Sequence, residues 1–445
     1  MLVNIHKLIL ILIMLQVSGR NLVHAQEPWS LKQCLDTAQA YNRGLRIERN
    51  NIAISGQKEK EVKASLYPKI TANADYKYFM DLPYQLMPMS TFNPSAPAGQ
   101  FKEAQFGVPH SINANLQLVL PLYNPQLNGA IQNSKVASEL SQLQYQKSQE
   151  QVFYEITNLY YNAQILYHQL AFLDSNLLNT GKLLKNMQLL REQLLAKGTD
   201  VNKVMLQAEQ LSTQKENVRS KYLQVMNVLK LNMGIPLERD IEIETEIHFR
   251  SAEKYIPVPT PDMRIIQTQN KLLTNELNIL NKSKNLPILN FIASYGTTGF
   301  GYDKKPNTFL KFFPVGFAGI QISYPLFNGT VTQRKLAQKK IEIDNNVLQS
   351  EMLTEQNKIQ VENATRQRVV AGKTVTNTRD QIVLAQNIYE QTILQQKQGT
   401  ASLTDVLLAD TALREAQQNY LTAVIDYLKA DMELMKLTGN IPLNK

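Results

Sequence analysis

Ile70-Thr71-Ala72-Asn73-Ala74-Asp75-Tyr76-Lys77-Tyr78 alternates apolar and polar residues at every step. A period of two places Ile70, Ala72, Ala74, Tyr76 and Tyr78 on one face of an extended strand and the polar residues on the other. The pattern resumes after a loop punctuated by Pro and Gly, Asp81 to His110: Ile112, Ala114, Leu116, Leu118 and Leu120 alternate with Ser111, Asn113, Asn115 and Gln117. Each run is about 10 residues, the length a tilted membrane strand needs. Tyr67, Tyr78, Phe79, Tyr123, Phe312, Phe313 and Phe327 fall near expected strand ends, where aromatic side chains favour the membrane–water interface.

Working outward, the same plan occurs twice. Leu289, Phe291, Ala293 and Tyr295 alternate with Asn290, Ile292 and Ser294, and Ala318, Ile320, Ile322 and Tyr324 with Gly319, Gln321 and Ser323. Leu120-Pro121-Leu122-Tyr123-Asn124 returns about 200 residues later as Tyr324-Pro325-Leu326-Phe327-Asn328, Lys197-Gly198-Thr199 as Gln398-Gly399-Thr400, and Asn232-Met233-Gly234-Ile235-Pro236 as Thr438-Gly439-Asn440-Ile441-Pro442. So long a period is a supersecondary block used twice, not a solenoid repeat of 20–50 residues. The division expected is residues 1–25 as an export signal, 26–236 as the first repeat with strands near 69–80 and 111–121, 237–261 as an irregular belt, and 262–445 as the second repeat with strands near 287–297 and 314–325.

Long helical stripes link these hairpins. Tyr145, Val152, Leu159, Leu166, Leu173, Met187 and Leu194 keep a seven-residue step broken only at Thr180, with Ile156, Ala163, Leu170, Leu177 and Leu184 as a companion stripe. A seven-residue apolar step held this long imposes a left-handed supercoil. The second copy runs from about Val331 to Gln398, and its closing helix has the seam Val406, Leu413, Tyr420, Tyr427 and Leu434 beside Ala409, Ala416, Ala423 and Ala430. Each long helix would span about 105 Å. A helical pattern also opens at Ser30 and runs to about Leu66, where Pro68 stops it.

Lys7, the apolar run Leu8 to Val17 and Val23-His24-Ala25 read as an export signal expected to be cleaved after Ala25, with an uncleaved anchor as the alternative. The chain of 445 residues carries a net charge of +9. That charge is dispersed, so nucleic-acid binding is not indicated. The single cysteine, Cys34, excludes an intrachain disulfide. Five scattered histidines suggest neither a metal site nor a catalytic triad. Gly296-Thr297-Thr298-Gly299-Phe300-Gly301 lacks the Lys-Ser/Thr of a phosphate loop and reads as the loop between strands three and four. No cofactor, metal or enzymatic activity is expected.

Four strands cannot close a barrel, which needs about 8, and open strand edges are not tolerated in lipid. The chain is therefore expected to oligomerise around an axis, each copy giving four strands whose polar faces line a wet lumen. Helices of such length must continue from it into a watery compartment.

Several segments resemble the TolC-like outer-membrane efflux proteins. Gln398-Gly-Thr-Ala-Ser-Leu-Thr-Asp405-Val-Leu-Leu-Ala-Asp-Thr-Ala-Leu413, followed by Tyr420, Tyr427 and Leu437-Thr-Gly439, carries the resemblance, with Ser30 to Leu35, Leu66 to Ile70 and Tyr324 to Asn328. The resemblance implies a mainly α fold with a membrane β portion: a homotrimer sharing a twelve-stranded β-barrel in the outer-membrane lipid and a periplasmic α-helical barrel closed at its tip. It implies an exit duct for small molecules such as drugs or metals, docked to a periplasmic adaptor and an inner-membrane transporter. Type I protein secretion is the alternative within the family. By the same resemblance Glu390 falls at the acidic ring of the tunnel constriction, and Gly198, Thr199, Gly399, Thr400 and Asp405 at the tip where adaptors meet the duct. In the first copy Val204 stands where the second has Asp405. A non-conducting coiled-coil envelope protein would share the heptads but has no use for paired amphipathic strands.

Overall fold

The computed structural model describes residues 28–247 and 254–442; the export signal read at 1–25 lies outside them. Helices α1 (Leu31–Tyr41) and α2 (Arg43–Ala64) lead into β1 (Lys69–Tyr78). Strands β2 (Tyr84–Pro88), β3 (Phe101–Gln105) and β4 (His110–Tyr123) precede the long helix α3 (Pro125–Glu192) and then α4 (Gly198–Met233). The second copy comprises α5 (Pro261–Asn285), β5 (Ile288–Tyr302), β6 (Phe309–Ser323), α6 (Val331–Lys397) and α7 (Leu403–Leu437). The fold is mainly α with one principal sheet. Among the described residues no helix is long and apolar enough to cross a membrane.

The chain divides into two compact units. The first holds the described residues up to Arg49, Gln144–Arg264 and those from Met352 on. Its cores follow the heptad stripes: Ile156, Ala163, Leu166, Leu173 and Met187 are buried on α3, and Val406, Leu413, Leu434 and the four seam alanines on α7. Thr180, which interrupts the α3 stripe in the sequence, is buried with it. Near the start of the chain, Trp29 donates its N–H to the Glu242 carbonyl at 2.7 Å, and Tyr160 donates its hydroxyl to the Trp29 carbonyl at 2.9 Å. Cys34 and Ala38 are buried against Ile156, Tyr160, Leu229 and Met233. Burial, reinforced by the charge of Glu244, pushes the Cys34 thiol up to about 12.

The helix expected from Ser30 to Leu66 is broken at Asn42. The Asn42 side-chain oxygen accepts the Leu45 N–H at 3.0 Å, and its amide donates to the Asn232 carbonyl at 2.6 Å. The residue therefore caps α2 while tying it to the end of α4, a long-range demand invisible in a local helical pattern.

Deeper in this unit Arg368 and Asp431 form a buried ion pair, Nε to Oδ1 2.7 Å apart. The Tyr255 hydroxyl donates to the same carboxylate at 3.1 Å, and the guanidinium lies 5.2 Å from the Tyr255 ring centroid.

The second unit comprises Asn50–Leu143 and Ile265–Glu351. Its sheet has the order β1-β4-β5-β6, every neighbouring pair antiparallel. Gly296 to Gly301 is not a loop but the outer part of β5, paired with both neighbours. Close approach requires the glycine at 299, since a Cβ there would meet Phe312 at 2.6 Å. β6 likewise extends back to Phe309, so Phe312 and Phe313 lie within it rather than at its end. The segment read as a plain loop from Asp81 to His110 contains the small β2–β3 hairpin.

The helical turns repeat with a register that differs from the Gly-Thr match. α6 ends on left-handed Gly399 (φ 77°), with Thr400 N–H bonded to the Gln395 carbonyl at 2.9 Å. In the first copy this place is taken by Leu194 (φ 63°), with Leu195 N–H bonded to the Leu190 carbonyl at 2.8 Å. Gly198 does not terminate a helix; it is the first residue of α4. Leu194 thus corresponds to Gly399, Lys197 to Ser402 and Asp200 to Asp405, while Val204 corresponds to buried Ala409. The acid that seemed missing from the first turn is present as Asp200.

Two outcomes follow from this packing. Leu194→Gly removes the steric cost of a branched residue in the left-handed region and should stabilise the fold by about 1 kcal/mol; a lower midpoint in denaturant would show that the Leu194 side chain contributes packing of its own. Arg368→Met leaves Asp431 buried without its cation and should cost about 3–5 kcal/mol. Replacing both members by apolar residues should restore most of that loss in the same unfolding measurement.

Candidate channel lining and helix-turn tips

The register sorts the sheet into two chemically distinct faces. Ile70 lies opposite Leu118, Ala72 opposite Leu116 and Tyr76 opposite Ile112. The row continues through Leu116 to Tyr295 and through Phe291 to Ile320. No Asp, Glu, Lys or Arg falls on this face, although Leu116 is 57% and Ile320 65% exposed. Exposed apolar area of that extent on one side of a sheet marks a contact with lipid or protein. Tyr76, Tyr78 and His110 cluster at one rim of it, Tyr76 and His110 stacking with centroids 6.0 Å apart.

The opposite face holds the charges. Asn73 donates to Asn115 at 3.2 Å and Asn113 to Asp75 at 3.2 Å, each pair directly cross-strand. Lys77 sits 3.7 Å from Asp75. Polar side chains that satisfy one another across strands suit a wall in contact with water. Both edge strands, β1 and β6, present one unpaired side.

In the helical unit the two turns close over one apolar cluster. Leu183 and Met187 of α3, Val201 and Val204 of α4, Tyr389 of α6 and Leu403 and Val406 of α7 are buried together. Gly198, Thr199, Gly399, Thr400 and Asp405 are thereby brought to the same end of this unit. Ser402 and Asp405 form a reciprocal cap: Asp405 N–H donates to Ser402 Oγ at 3.2 Å, and Ser402 N–H to the Asp405 carboxylate at 2.8 Å. The Ser402 hydroxyl and then its backbone N–H hold the Asp405 carboxyl below its usual range. Asp200 occupies the corresponding position on α4 and pairs with Lys203 at 3.3 Å. Leu194, 93% exposed, and Leu195 project from the first turn.

Glu390 stands apart from this cluster. Its neighbour Tyr389 is buried, but Glu390 itself is exposed on α6 and accepts a hydrogen bond from Gln386 at 2.6 Å. Among the described residues its carboxylate is left exposed beside that one amide.

A second charged group lies just behind the turns, unmarked by the sequence reading. Asp410 of α7, 4% exposed, accepts a hydrogen bond from Gln207 of α4 and pairs with Arg414 at 3.0 Å. Burial raises its carboxyl above the usual range, against the opposing pull of Arg414 and Gln207. Burial and the charge of Asp410 together push the Tyr389 phenol up to about 12. This network joins the two copies through an amide–carboxylate bond in apolar surroundings, where such a bond is strong and costly to break. The signal was present: Gln207 and Asp410 are polar residues inside apolar seams, and Arg414 follows Asp410 by one helical turn.

Residues 274–440 match the family described as outer membrane efflux protein. No curated protein matches the chain. Among solved structures, the outer membrane protein VceC from Vibrio cholerae is 13% identical, covering 92% of this chain and 96% of that one with a TM-score of 0.73. The CmeC outer membrane channel of Campylobacter jejuni is 15% identical over 92% and 85% of the two chains, TM-score 0.73. The open-state MtrE outer membrane channel of Neisseria gonorrhoeae is 16% identical over 92% and 88%, TM-score 0.69. Residues 274–440 thus match the outer membrane efflux protein family, and the described length of the chain has the fold of these outer membrane channels.

Proposed function

We propose that the chain is the outer-membrane exit duct of a tripartite efflux pump, carrying small molecules such as drugs or metal ions from an inner-membrane transporter to the exterior. One observation carries this reading above the rest: a sheet with two open edges, one face free of charge and the other holding all the sheet's charges. In lipid such edges must be paired, and three copies in a ring would pair them as a twelve-stranded barrel with the polar faces inward. The duct supplies no energy, so the pump partner does. The grouped turns at Gly198, Thr199, Gly399, Thr400 and Asp405, with exposed Leu194 and Leu195 beside them, support the docking of a periplasmic adaptor at that end. The exposed carboxylate of Glu390 supports a constriction role, since three copies of it around an axis would concentrate negative charge and favour cations.

Two measurements test the reading. Leu116→Lys places a charge on the face assigned to lipid and should cost about 2–4 kcal/mol near the bilayer midplane, seen as impaired outer-membrane assembly of the variant. Normal assembly and stability would count against a barrel with this face outward. Glu390→Gln should reduce cation preference in single-channel recordings under a salt gradient. An unchanged reversal potential would remove Glu390 from the pore.

A further inference from the structure

The charged face of the sheet is chemically divided between the two hairpins. β1 and β4 offer amides, hydroxyls and charges, whereas β5 and β6 offer rings on the same face. Phe317 lies opposite Ser294, Phe313 opposite Thr298, Lys311 opposite Phe300 and Phe309 opposite Tyr302. Two ring contacts show that these side chains share one side: Phe300 and Phe313 have centroids 6.2 Å apart, and Tyr302 and Phe309 stack at 6.3 Å. Phe313 is 50% and Phe317 59% exposed. A wall meeting only water gains nothing from exposed rings, and rings in such number suggest a contact.

Charge selects the partner. This face carries Lys69, Lys77 and Lys311 but only one acid, Asp75, which Lys77 already approaches. Lys311 stands within the rings, two residues from both Phe309 and Phe313 and opposite Phe300. Ring faces alone could attract a cation, but the neighbouring ammonium opposes one and favours an anion. Resting on the channel reading, in which this face lines the lumen, we propose that the ring-and-lysine strip of the second hairpin is a binding track for amphipathic organic anions. The apolar, aromatic body lies on the rings and the anionic group meets Lys311. The two repeats would thus divide the wall into polar sectors that pass water and ions and sectors that hold cargo.

The test uses the purified full-length protein reconstituted in planar bilayers. The probe is 2-naphthalenesulfonate, with methanesulfonate (charge without ring) and naphthylmethylammonium (ring with opposite charge) as controls. Naphthalenesulfonate should reduce the potassium chloride current at concentrations about ten-fold below either control. The double variant Phe313→Ser/Phe317→Ser and the single variant Lys311→Gln should each lose most of that sensitivity while their unblocked currents persist, which shows that the pores assemble. Should the double variant fail to insert, Lys311→Gln decides alone. Equal potency of the three probes overturns the proposal. So does unchanged sensitivity in a conducting variant, which would mean that the rings are covered by another part of the protein. A wild type that forms no pore at all would instead refute the channel reading, and this inference with it.

Discussion

The unpaired edges of β1 and β6 set the terms for the rest of the molecule. A four-stranded antiparallel sheet with one uncharged face is stable in lipid only if every backbone N–H and C=O along those edges finds a partner. The chain has no further long strand among its described residues to offer, and the β2–β3 hairpin pairs only with itself. In the proposed channel that pairing comes from other copies, and the alternation within each strand then decides which side faces water. The proposed barrel, its lumen and its partners all descend from that requirement.

Duplication gives the helical unit its order. With Leu194 matched to Gly399, buried residues coincide down both closing helices: Val201 with Val406, Leu211 with Ala416, Val218 with Ala423 and Leu229 with Leu434. Both helices end beside left-handed glycines, Gly234 and Gly439. The copies differ where polar residues enter the seams. Gln207 and Asp410 meet there, and Arg368 with Asp431 forms a second buried charge pair. Apolar seams alone tolerate sliding by one heptad; these specific polar bonds fix one register.

Much of this was legible in the residues because period-two and period-seven patterns report faces directly. The alternation at Ile70–Tyr78 anticipates the observed pairing of apolar with apolar and polar with polar residues. The stripes of α3 and α7 anticipate their buried rows, including the four seam alanines. What escaped depends on distant partners. The break at Asn42 exists because a residue 190 positions away offers a carbonyl. Gly296–Gly301 reads as a turn until Phe312 from the next strand occupies the space that a side chain would need. The first tip turn misleads because Leu194 adopts a conformation usually left to glycine, which makes the nearby Gly-Thr pair look like the repeat. The Gln207–Asp410 contact joins two seams that the sequence keeps 203 residues apart.

Cys34 has a practical corollary. A thiol that is buried and kept protonated across the working pH range is a poor target for maleimides and disulfide reagents, because the thiolate is the reactive species. The chain is thus chemically silent toward cysteine reagents in its native form. Cysteines introduced one at a time along β4, β6 or the helix turns would report their own accessibility against almost no background, and both faces of the sheet could be mapped residue by residue without first removing the native thiol.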